Sequence, residues 1–522
     1  MQVRYPYPRC SSLSFLVRKD DGYLIGGLRK AVLGGLTEGL EGQLLDNTTN
    51  RDHGLVHRTC PVLMKHTVSD LAPHRLALRV QAQKSATSEA WRRTKLRIRI
   101  TPMVLAGKTA VGLLSVWLGW WLTTKERWIS ISNREFFLSI MGIWAFSRIG
   151  LFLVVYALLG TEVTSDVAGY YYPQARRALA GDWIYRDFLS SYAPGFPYLM
   201  GQVLKWIWNS PKALVGFAIV TEAFMLMLWM AFGAKHLPVP QARRAALLYV
   251  ASAIPLLNVA LEGQNNVLVA LLTGIALWFY AAKRNTLAAV ALSLPLIMVK
   301  FLTLFSVPAF LFRNTERVKF ALSFLILPTL IFGLLIYNGV DVLTPVKSES
   351  GDRTSGNLPF LLDGPLMAAG ITVPPRAYDA ATLAVLLVLS LWLMQQRPRE
   401  PALGALWGMV LLLLTLLLFS KKAYTSYLVM SFYPLCAVAA REPYESGRRA
   451  IAFGIFGMLA SLERSLWFRW LGARQVPSII ASGEVLWLPF AFFTLVDLLL
   501  IGYYLKYCQQ AWLAIRAITK AS

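Results

Sequence analysis

Histidine and cysteine are scarce in this chain of 522 residues, and their positions exclude several kinds of functional site. Four of the five histidines lie in the first 80 residues, and the fifth is His236, in a short basic stretch. The rest of the chain therefore cannot assemble a Ser-His-Asp or Cys-His catalytic set. The four cysteines are far apart and form no CxxC or Cys/His pattern, so they predict neither a disulfide framework nor a thiolate metal site.

Charged residues are also few, at 15% of the chain, whereas hydrophobic residues make up 56% and the mean hydropathy is +0.50. Apolar runs separated by short basic stretches are typical of a membrane protein with several spans. The net charge of +24 does not indicate nucleic-acid binding, because the Lys and Arg residues lie between apolar runs, as the positive-inside rule requires. We therefore predict an all-α, multi-pass protein of the cell membrane that contacts membrane lipids and binds no nucleic acid.

The first 100 residues lack the apolar stretch of a signal peptide and differ in composition from the rest. Two interpretations of this polar, basic segment are open. It is either a disordered cytoplasmic extension, whose basic end at 92–99 contacts anionic lipid, or a gene-model artefact in a protein that starts downstream, for instance at Met103. In both cases we expect a membrane domain at 101–522 and no contribution of the extension to the functional site.

Apolar length and basic loops together predict about 11 to 13 spans. Basic loops such as 235–244 and 441–449 are assigned to the cytoplasm. Two segments leave the alternation open. Val104–Leu122 contains a lysine and either spans or lies in the interface. Pro194–Trp208 is short and is read as partly embedded or paired with another short segment, because a full span there would shift the alternation by one. The other predicted spans are Phe136–Gly160, Leu214–Gly233, Ala245–Leu261, Val267–Ala282, Thr286–Val299, Phe301–Phe312, Val318–Asn338, Thr382–Met394, Leu406–Ser420, Val429–Ala440 and two segments before the C-terminus.

This alternation places several polar residues on the outer side, beginning with Asp166 in the loop after Phe136–Gly160. Ionisable groups at membrane depth are costly and indicate function, so Asp166 is the candidate catalytic residue. The alternative role for Asp166 is that of a helix N-cap. The candidate substrate-binding residues are Asp187, Arg186, Tyr170, Tyr171, Gln264, Asn265, Lys300, Arg353, Asn357, Lys421 and Tyr424.

Some of these residues are equally explained by ordinary membrane structure. Asp187 is also expected if it only pairs with Arg186. Lys300 and Lys421 are also expected as interfacial anchors, whose stems lie along apolar surface while the charge stays in water. The three tyrosines at 170–172 are typical of an interfacial aromatic belt as well.

Several motifs resemble the GT-C superfamily of integral membrane glycosyltransferases, most closely its bacterial members that use polyprenyl-phosphate mannose. They are, in order, Ser165-Asp166-Val167, Gly181-Asp-Trp-Ile-Tyr-Arg-Asp-Phe188, Tyr192-Ala-Pro-Gly-Phe-Pro197, Gly263-Gln-Asn265 and Lys300. The resemblance covers the chain from about Phe136 to Lys506. It implies a GT-C-like helical bundle with a catalytic first outer loop, in which Asp166 is the catalytic base. The loop has a single Asp where an Asp-Asp or Asp-Glu pair is also known, so a divalent metal is allowed but not indicated.

The resemblance further implies the transfer of a hexose, with mannose as the first candidate, from a polyprenyl-phosphate sugar donor to a lipid or glycan acceptor. A carboxylate would deprotonate the acceptor hydroxyl while cations hold the departing phosphate, and no cofactor is required. Two alternatives stay open. One is a transporter or flippase of lipid-linked sugars, although the duplicated halves with broken helices that are common in transporters are not seen. The other is a polysaccharide ligase or polymerase.

Overall fold

The computed structural model describes residues 104–313, 316–349, 353–441, 446–470 and 487–520. Within these ranges the chain is built of helices and connecting turns, and a single isolated bridge between Ile184 and Phe188 is its only strand-like feature. The prediction of an all-α protein with several membrane spans is confirmed. The basic extension lies outside the described residues, so the domain boundary at residues 100 and 101 stays a prediction.

Fifteen main helices follow one another in the described ranges, joined in places by shorter helical turns. They are α1 (Val104–Thr124), α2 (Asn133–Phe152), α3 (Tyr172–Leu179), α4 (Gly195–Trp206), α5 (Pro211–His236), α6 (Val239–Ala251), α7 (Asn266–Ala281), α8 (Asn285–Met298), α9 (Arg317–Tyr337), α10 (Leu358–Ala368), α11 (Pro375–Gln395), α12 (Pro401–Phe419), α13 (Phe432–Ala439), α14 (Ser446–Trp470) and α15 (Trp487–Lys520).

Eight of the described helices are long and apolar enough to cross a membrane: α1, α2, α5, α9, α11, α12, α14 and α15. A ninth span is added if α6 is joined to Ala253–Leu261, from which it is bent by 42°. This number is lower than the about 11 to 13 spans expected from apolar length. The difference arises because several apolar runs fold as helices of 10–17 residues, among them α7, α8 and the 3-10 segment Phe301–Phe310. These short helices pack against other helices of the bundle, so their length is not set by the thickness of the bilayer.

The two segments that the sequence left open have different structures. The first, at 104–122, is part of the spanning helix α1. The second contains α4, which has only 12 residues, packs beside α3, and is followed by Ile207 and Trp208. Trp206 and Trp208 are 77% and 57% exposed, and exposed Trp side chains at a helix end are typical of the membrane interface. α4 is therefore an interfacial helix by length and composition.

Helices α1 and α14 pack antiparallel at close distance, because glycines lie on their shared face. A Cβ atom on Gly454 would lie 2.8 Å from Val116 Cα, which is a backbone atom that a rotamer change cannot move. Small residues of this kind let helix backbones approach each other in a membrane. The same register brings Lys108, near the start of α1, to Ser465 near the end of α14, with 3.0 Å between Nζ and Oγ.

Lys108 also shows from which end of the bundle α1 starts. Its Nζ lies 2.6 Å from Glu262 Oε1, and the Glu262 carbonyl accepts a hydrogen bond of 2.6 Å from Ser165. The chain therefore enters α1 at the end of the bundle where the Asp166 loop lies.

A buried ion pair joins α2, α5 and α6 inside the bundle. Arg148 Nε donates to Glu222 Oε1 at 3.2 Å, and both side chains are fully buried. Tyr249 donates to the same oxygen at 3.0 Å, and Arg148 donates to the Val250 carbonyl at 2.7 Å. Because removing either charge would leave the other buried without its partner, this centre fixes how the three helices meet.

Candidate functional site

Asp166 lies in the turn that connects α2 to the helical segment before α3. The π-helical end of α2 stops at Leu158, Gly160 adopts a left-handed conformation with φ of 60°, and helical structure resumes at Val167. Asp166 occupies the N-cap position, but its carboxylate makes no capping hydrogen bond. The Ser165 hydroxyl accepts from the Val167 amide instead, at 3.3 Å. The Asp166 carboxylate is thereby left to bind side chains.

Two side chains from distant parts of the chain hold this carboxylate. Gln264 Nε2 donates to Asp166 Oδ2 at 3.0 Å, and an Arg464 guanidinium nitrogen donates to Oδ1 at 3.2 Å. Gln264 and Arg464 are 98 and 298 positions away from Asp166. The carboxylate keeps 20% of its exposure and the guanidinium keeps 30%, so a ligand can reach both groups.

Opposing effects set the pKa of Asp166. Burial by itself raises the pKa, whereas the charge of Arg464, the hydrogen bond from Gln264 and the charge of Lys300 lower it. The lowering effects prevail, so the pKa of Asp166 lies below its usual value and the carboxylate is ionised at neutral pH. An ionised carboxylate can accept a proton from a hydroxyl group.

Gln264 is oriented by Tyr171, whose hydroxyl donates to Gln264 Oε1 at 3.3 Å. This hydrogen bond directs the amide nitrogen of Gln264 to Asp166. Tyr171 is buried and packs edge-to-face against Tyr192 and Phe196, with ring centroids 5.0 and 4.9 Å away. Burial raises the pKa of Tyr171, so its hydroxyl stays protonated and remains a donor.

A glycine allows the Asp166 loop to pack on the end of the bent α6 segment. Gly263 has a left-handed φ of 61°, and a Cβ atom there would lie 2.8 Å from Val167 Cγ2. The hydrogen bond from Ser165 to the Glu262 carbonyl also stabilises this contact between the two loops. The motif Gly263-Gln-Asn265 therefore brings Gln264 to Asp166 because the two loops can approach closely.

Lys300 lies in the same region, in the turn after α8. Its Nζ donates to Asn266 Oδ1 at 3.0 Å and lies 4.6 Å from the ring centroid of Tyr427 and 5.7 Å from that of Tyr192. Its charge contributes to the low pKa of Asp166. Lys300 is therefore close enough to act on a ligand that Asp166 contacts.

Arg464 and Lys300 each make a cation–π contact with a tyrosine. Arg464 lies 5.0 Å from the ring centroid of Tyr424, and Tyr424 packs edge-to-face on Tyr427 at 5.5 Å. Lys300 lies over Tyr427. Tyrosine faces attract cations, which keeps the two positive groups in place. One carboxylate, two cations and two tyrosines thus form a single cluster with Gln264.

Lys421 and Arg353 bind other carboxylates. Lys421, 3% exposed, donates from Nζ to Asp379 Oδ2 at 2.7 Å. Arg353 donates to the Asp363 carboxylate and to the Val373 carbonyl, the latter at 2.5 Å. Both basic residues line one small cleft, together with Asp363. The structure therefore assigns them to a second basic cluster, separate in its contacts from Asp166.

Four further candidates have no described contact with Asp166, Gln264 or Arg464. Asn357 is buried and caps α10, with its Oδ1 accepting from the Phe360 amide at 3.0 Å. Arg186 and Asp187 pair with each other at 3.0 Å, and this pairing lowers the pKa of Asp187 to about 2. Tyr170 is 57% exposed, as expected of an interfacial tyrosine.

Asn265 is a buried candidate whose side chain has no hydrogen-bond partner among the described residues. It is 6% exposed, and neither its amide oxygen nor its amide nitrogen is bonded. It lines a narrow cleft with Tyr171 and Gly263. A buried amide without a partner is costly, so this group is available to the hydroxyls of a bound molecule.

Sequence reasoning did not find Arg464. It lies in Ser461-Leu-Glu-Arg-Ser465, inside one of the two last apolar segments, where the hydropathy pattern records only another span. The signal that could have found it is the presence of two adjacent ionisable residues, Glu463 and Arg464, within a spanning run.

Within the described ranges, no group of three or more His, Cys, Asp or Glu side chains is placed to hold a metal ion. The chain matches no model of a known protein family. It also matches no curated protein and no solved structure. Its function is therefore inferred from the chemistry of the site.

Proposed function

We propose that this protein is a membrane glycosyltransferase of the GT-C type, which transfers a hexose from a polyprenyl-phosphate donor to a lipid or glycan acceptor. Mannose is the first candidate for the sugar. The observation that carries the proposal is the ionised Asp166 carboxylate, held by Gln264 and Arg464 with Lys300 nearby. The reaction needs one carboxylate for the acceptor hydroxyl and cations for the phosphate, and this cluster contains both.

In the proposed reaction, Asp166 accepts the proton of the acceptor hydroxyl as the hydroxyl oxygen bonds to the anomeric carbon. The bond between that carbon and the donor phosphate oxygen breaks, and its electron pair leaves with the polyprenyl phosphate. Attack from the side opposite the leaving group inverts the anomeric configuration. Arg464 and Lys300 stabilise the charge that develops on the phosphate oxygens.

Arg464 has different partners before and after donor binding in this scheme. Without donor it binds Asp166 and keeps the pKa of that carboxyl low. When the phosphate arrives, the guanidinium turns to the phosphate oxygens. This exchange removes the charge that most lowers the pKa of Asp166, so the carboxylate becomes a stronger base when the acceptor must be deprotonated.

The distribution of basic residues supports a site on the outer face. Since α1 begins at the site end of the bundle, the connection between α1 and α2 lies at the opposite end. Basic residues recur in the connections at that opposite end, and the positive-inside rule assigns such an end to the cytoplasm. These connections are 125–134, 235–244, 283–284, 397–399 and 441–449.

Asp166→Asn tests the proposal, because it keeps the shape of the side chain and removes its basicity. Membranes containing the protein are supplied with radiolabelled polyprenyl-phosphate mannose or polyprenyl-phosphate glucose. We expect transfer from one of the two donors and a loss of roughly two to four orders of magnitude in Asp166→Asn, with donor binding retained.

Asp341→Asn is the matched control, since Asp341 is an exposed carboxylate that binds Lys347 in another loop at the same end. Its transfer rate should equal that of the wild type. Wild-type turnover by Asp166→Asn would contradict the role of Asp166 as the base. A wild-type protein that transfers neither sugar but moves the labelled lipid across a vesicle membrane would instead be a flippase.

A further inference from the structure

A pair of buried carboxyl groups lies next to the site, and the proposed reaction does not use it. Glu463 belongs to the span formed by α14 and Asp497 to the span formed by α15, and they are 3% and 0% exposed. Both contact the turn before α10. The Ser355 hydroxyl donates to Glu463 Oε1, and the Gly356 amide donates to Asp497 Oδ2 at 3.1 Å.

Gly356 brings the two carboxyl groups together. A Cβ atom on this residue would lie 3.4 Å from Glu463 Cδ, while its own amide nitrogen lies 3.1 Å from Asp497 Oδ2. Its left-handed φ of 76° favours glycine. Because both carboxyl groups contact one small residue, they lie close together where water is excluded.

The surroundings of this pair differ from those of the other carboxylate buried in the spans. Glu222 contacts Arg148 directly and is balanced by that charge. The basic residue nearest to the pair is Arg464, which follows Glu463 in α14, but its guanidinium is directed to Asp166. Asp497 Oδ1 has no hydrogen-bond partner among the described residues.

Among the described residues, Tyr504 is a further titratable group that faces the pair, and it lies about two turns after Asp497 on the same face of α15. Its hydroxyl is buried and also has no hydrogen-bond partner among the described residues. A neutral tyrosine cannot balance a second negative charge. Two ionised carboxylates in this position would therefore repel each other in a medium of low dielectric constant, with only one nearby cation that is already engaged.

A single proton would remove both the repulsion between the two carboxylates and the unpaired oxygen of Asp497. If one carboxyl group is protonated, the pair carries one negative charge instead of two. The protonated group also supplies a donor, so the oxygen that lacks a partner enters an O–H···O hydrogen bond.

We propose that Glu463 and Asp497 hold one proton between them at neutral pH and that the resulting O–H···O bond positions the Ser355–Gly356 turn and the last turns of α14. Arg464 extends from these turns of α14 to Asp166. The two acidic residues are positioning residues that act through Arg464 and the turn. This inference concerns a protonation state, and it does not depend on which reaction the site performs.

Infrared difference spectroscopy of the purified full-length protein in lipid tests the proposal directly. Wild-type protein should show the C=O stretching band of a protonated carboxylic acid at about pH 7, where an ordinary Asp or Glu is ionised, and the band should shift in D₂O. The double variant Glu463→Gln/Asp497→Asn should lack this band. Glu222→Gln should retain it, because Glu222 binds Arg148 and does not belong to the pair.

A second measurement uses the pH dependence of thermal unfolding. The folded pair retains its proton at a pH where the unfolded chain has lost it, so the stability of the wild type should fall as the pH rises from about 6 to about 8. The double variant carries no ionisable group at either position, so its midpoint should change less over the same range. The slope can be measured for the wild type even if the double variant does not fold.

Absence of the band in the wild type at neutral pH would overturn the proposal, and so would an unchanged band in the double variant. A wild type without the band, whose unfolding midpoint rises when choline is replaced by sodium, would show that a cation neutralises the pair instead of a proton. An equal pH slope in the wild type and the double variant would also contradict the shared proton.

Discussion

An Arg464 guanidinium nitrogen lies 3.2 Å from Asp166 Oδ1, although the two residues are 298 positions apart. This ion pair connects the turn after α2 to the end of α14 and keeps a carboxylate charged at the end of a membrane bundle. The charge of Arg464 lowers the pKa of Asp166, so changes to either residue should alter both the proposed transfer reaction and the stability of the fold.

Arg464→Gln should raise the pKa of Asp166, because it removes the charge that most lowers it. The acidic limb of the rate profile then moves to higher pH, and the loss of a group that stabilises the leaving phosphate slows transfer by about 2 to 4 kcal/mol of activation free energy. The depressed pKa also means that the pair's contribution to folding is lost as the pH falls through the pKa of folded Asp166. The measurement is kcat/KM for the labelled donor as a function of pH.

Arg376→Gln is the matched control for this variant, since Arg376 is an exposed residue in the first turn of α11. It should leave both the rate and the position of the acidic limb unchanged. If Arg464→Gln has the acidic limb of the wild type, Arg464 does not set the pKa of the base.

Lys300→Gln and Lys421→Gln should have different effects, because the two lysines have different partners. Lys300 is near Asp166, so its loss should raise the KM for the sugar donor and lower kcat. The activation free energy should rise by about 2 to 4 kcal/mol, which is the usual cost of losing one hydrogen-bond donor to a developing negative charge. Lys421 binds Asp379, so its loss should change the unfolding midpoint more than the donor KM. The donor is varied at saturating acceptor for each variant. Equal kinetic losses would show that Lys421 also contacts the donor phosphate.

Gly454→Ala should destabilise the protein by about 1 to 3 kcal/mol, because the added methyl group would meet the backbone of α1 at Val116. The thermal unfolding midpoint in detergent or lipid measures this effect. Gly502→Ala in α15 is the control, since a Cβ atom there meets nothing within 4 Å, and it should be neutral or stabilising. An unchanged midpoint for Gly454→Ala would mean that α1 and α14 do not pack as closely as the structure indicates.

Deleting Met1–Arg99 should leave membrane insertion and transfer intact, because the described contacts of Asp166 all come from residues after Val104. A longer deletion that also removes α1 takes away Lys108, which binds Glu262 and Ser465 beside the site. That longer deletion should abolish transfer. Labelled-donor assays on membranes with equal amounts of inserted protein provide the comparison. A shorter deletion that inserts but is inactive would give the extension a role in the site.

The sequence predicted those features that depend on neighbouring residues. Apolar length indicated helices across the membrane, and the polar residues that end apolar runs indicated Asp166 and Gln264, which are in contact in the structure. Which helix end contacts which other helix end depends on packing over long sequence distances, and a hydropathy pattern contains no such information. Arg464 and the Asp379 partner of Lys421 were missed for this reason.

The number of spans was overestimated for a related physical reason. Apolar runs such as α7 and α8 are hydrophobic because they pack against other helices, and their 16 and 14 residues need not match the bilayer. A hydropathy pattern shows the length of an apolar run, but it does not show whether that run contacts lipid or other helices.

The antiparallel contact of α1 with α14 has a consequence for biosynthesis. A membrane protein is made from its N-terminus, so α1 and the loop with Asp166 are made well before the ribosome has translated Arg464. Until α14 has inserted and its glycine face has docked on α1, the carboxylate has no guanidinium partner. A nascent chain released before α14 would hold the Asp166 carboxylate without its cation, so the proposed active site is assembled only near the end of synthesis.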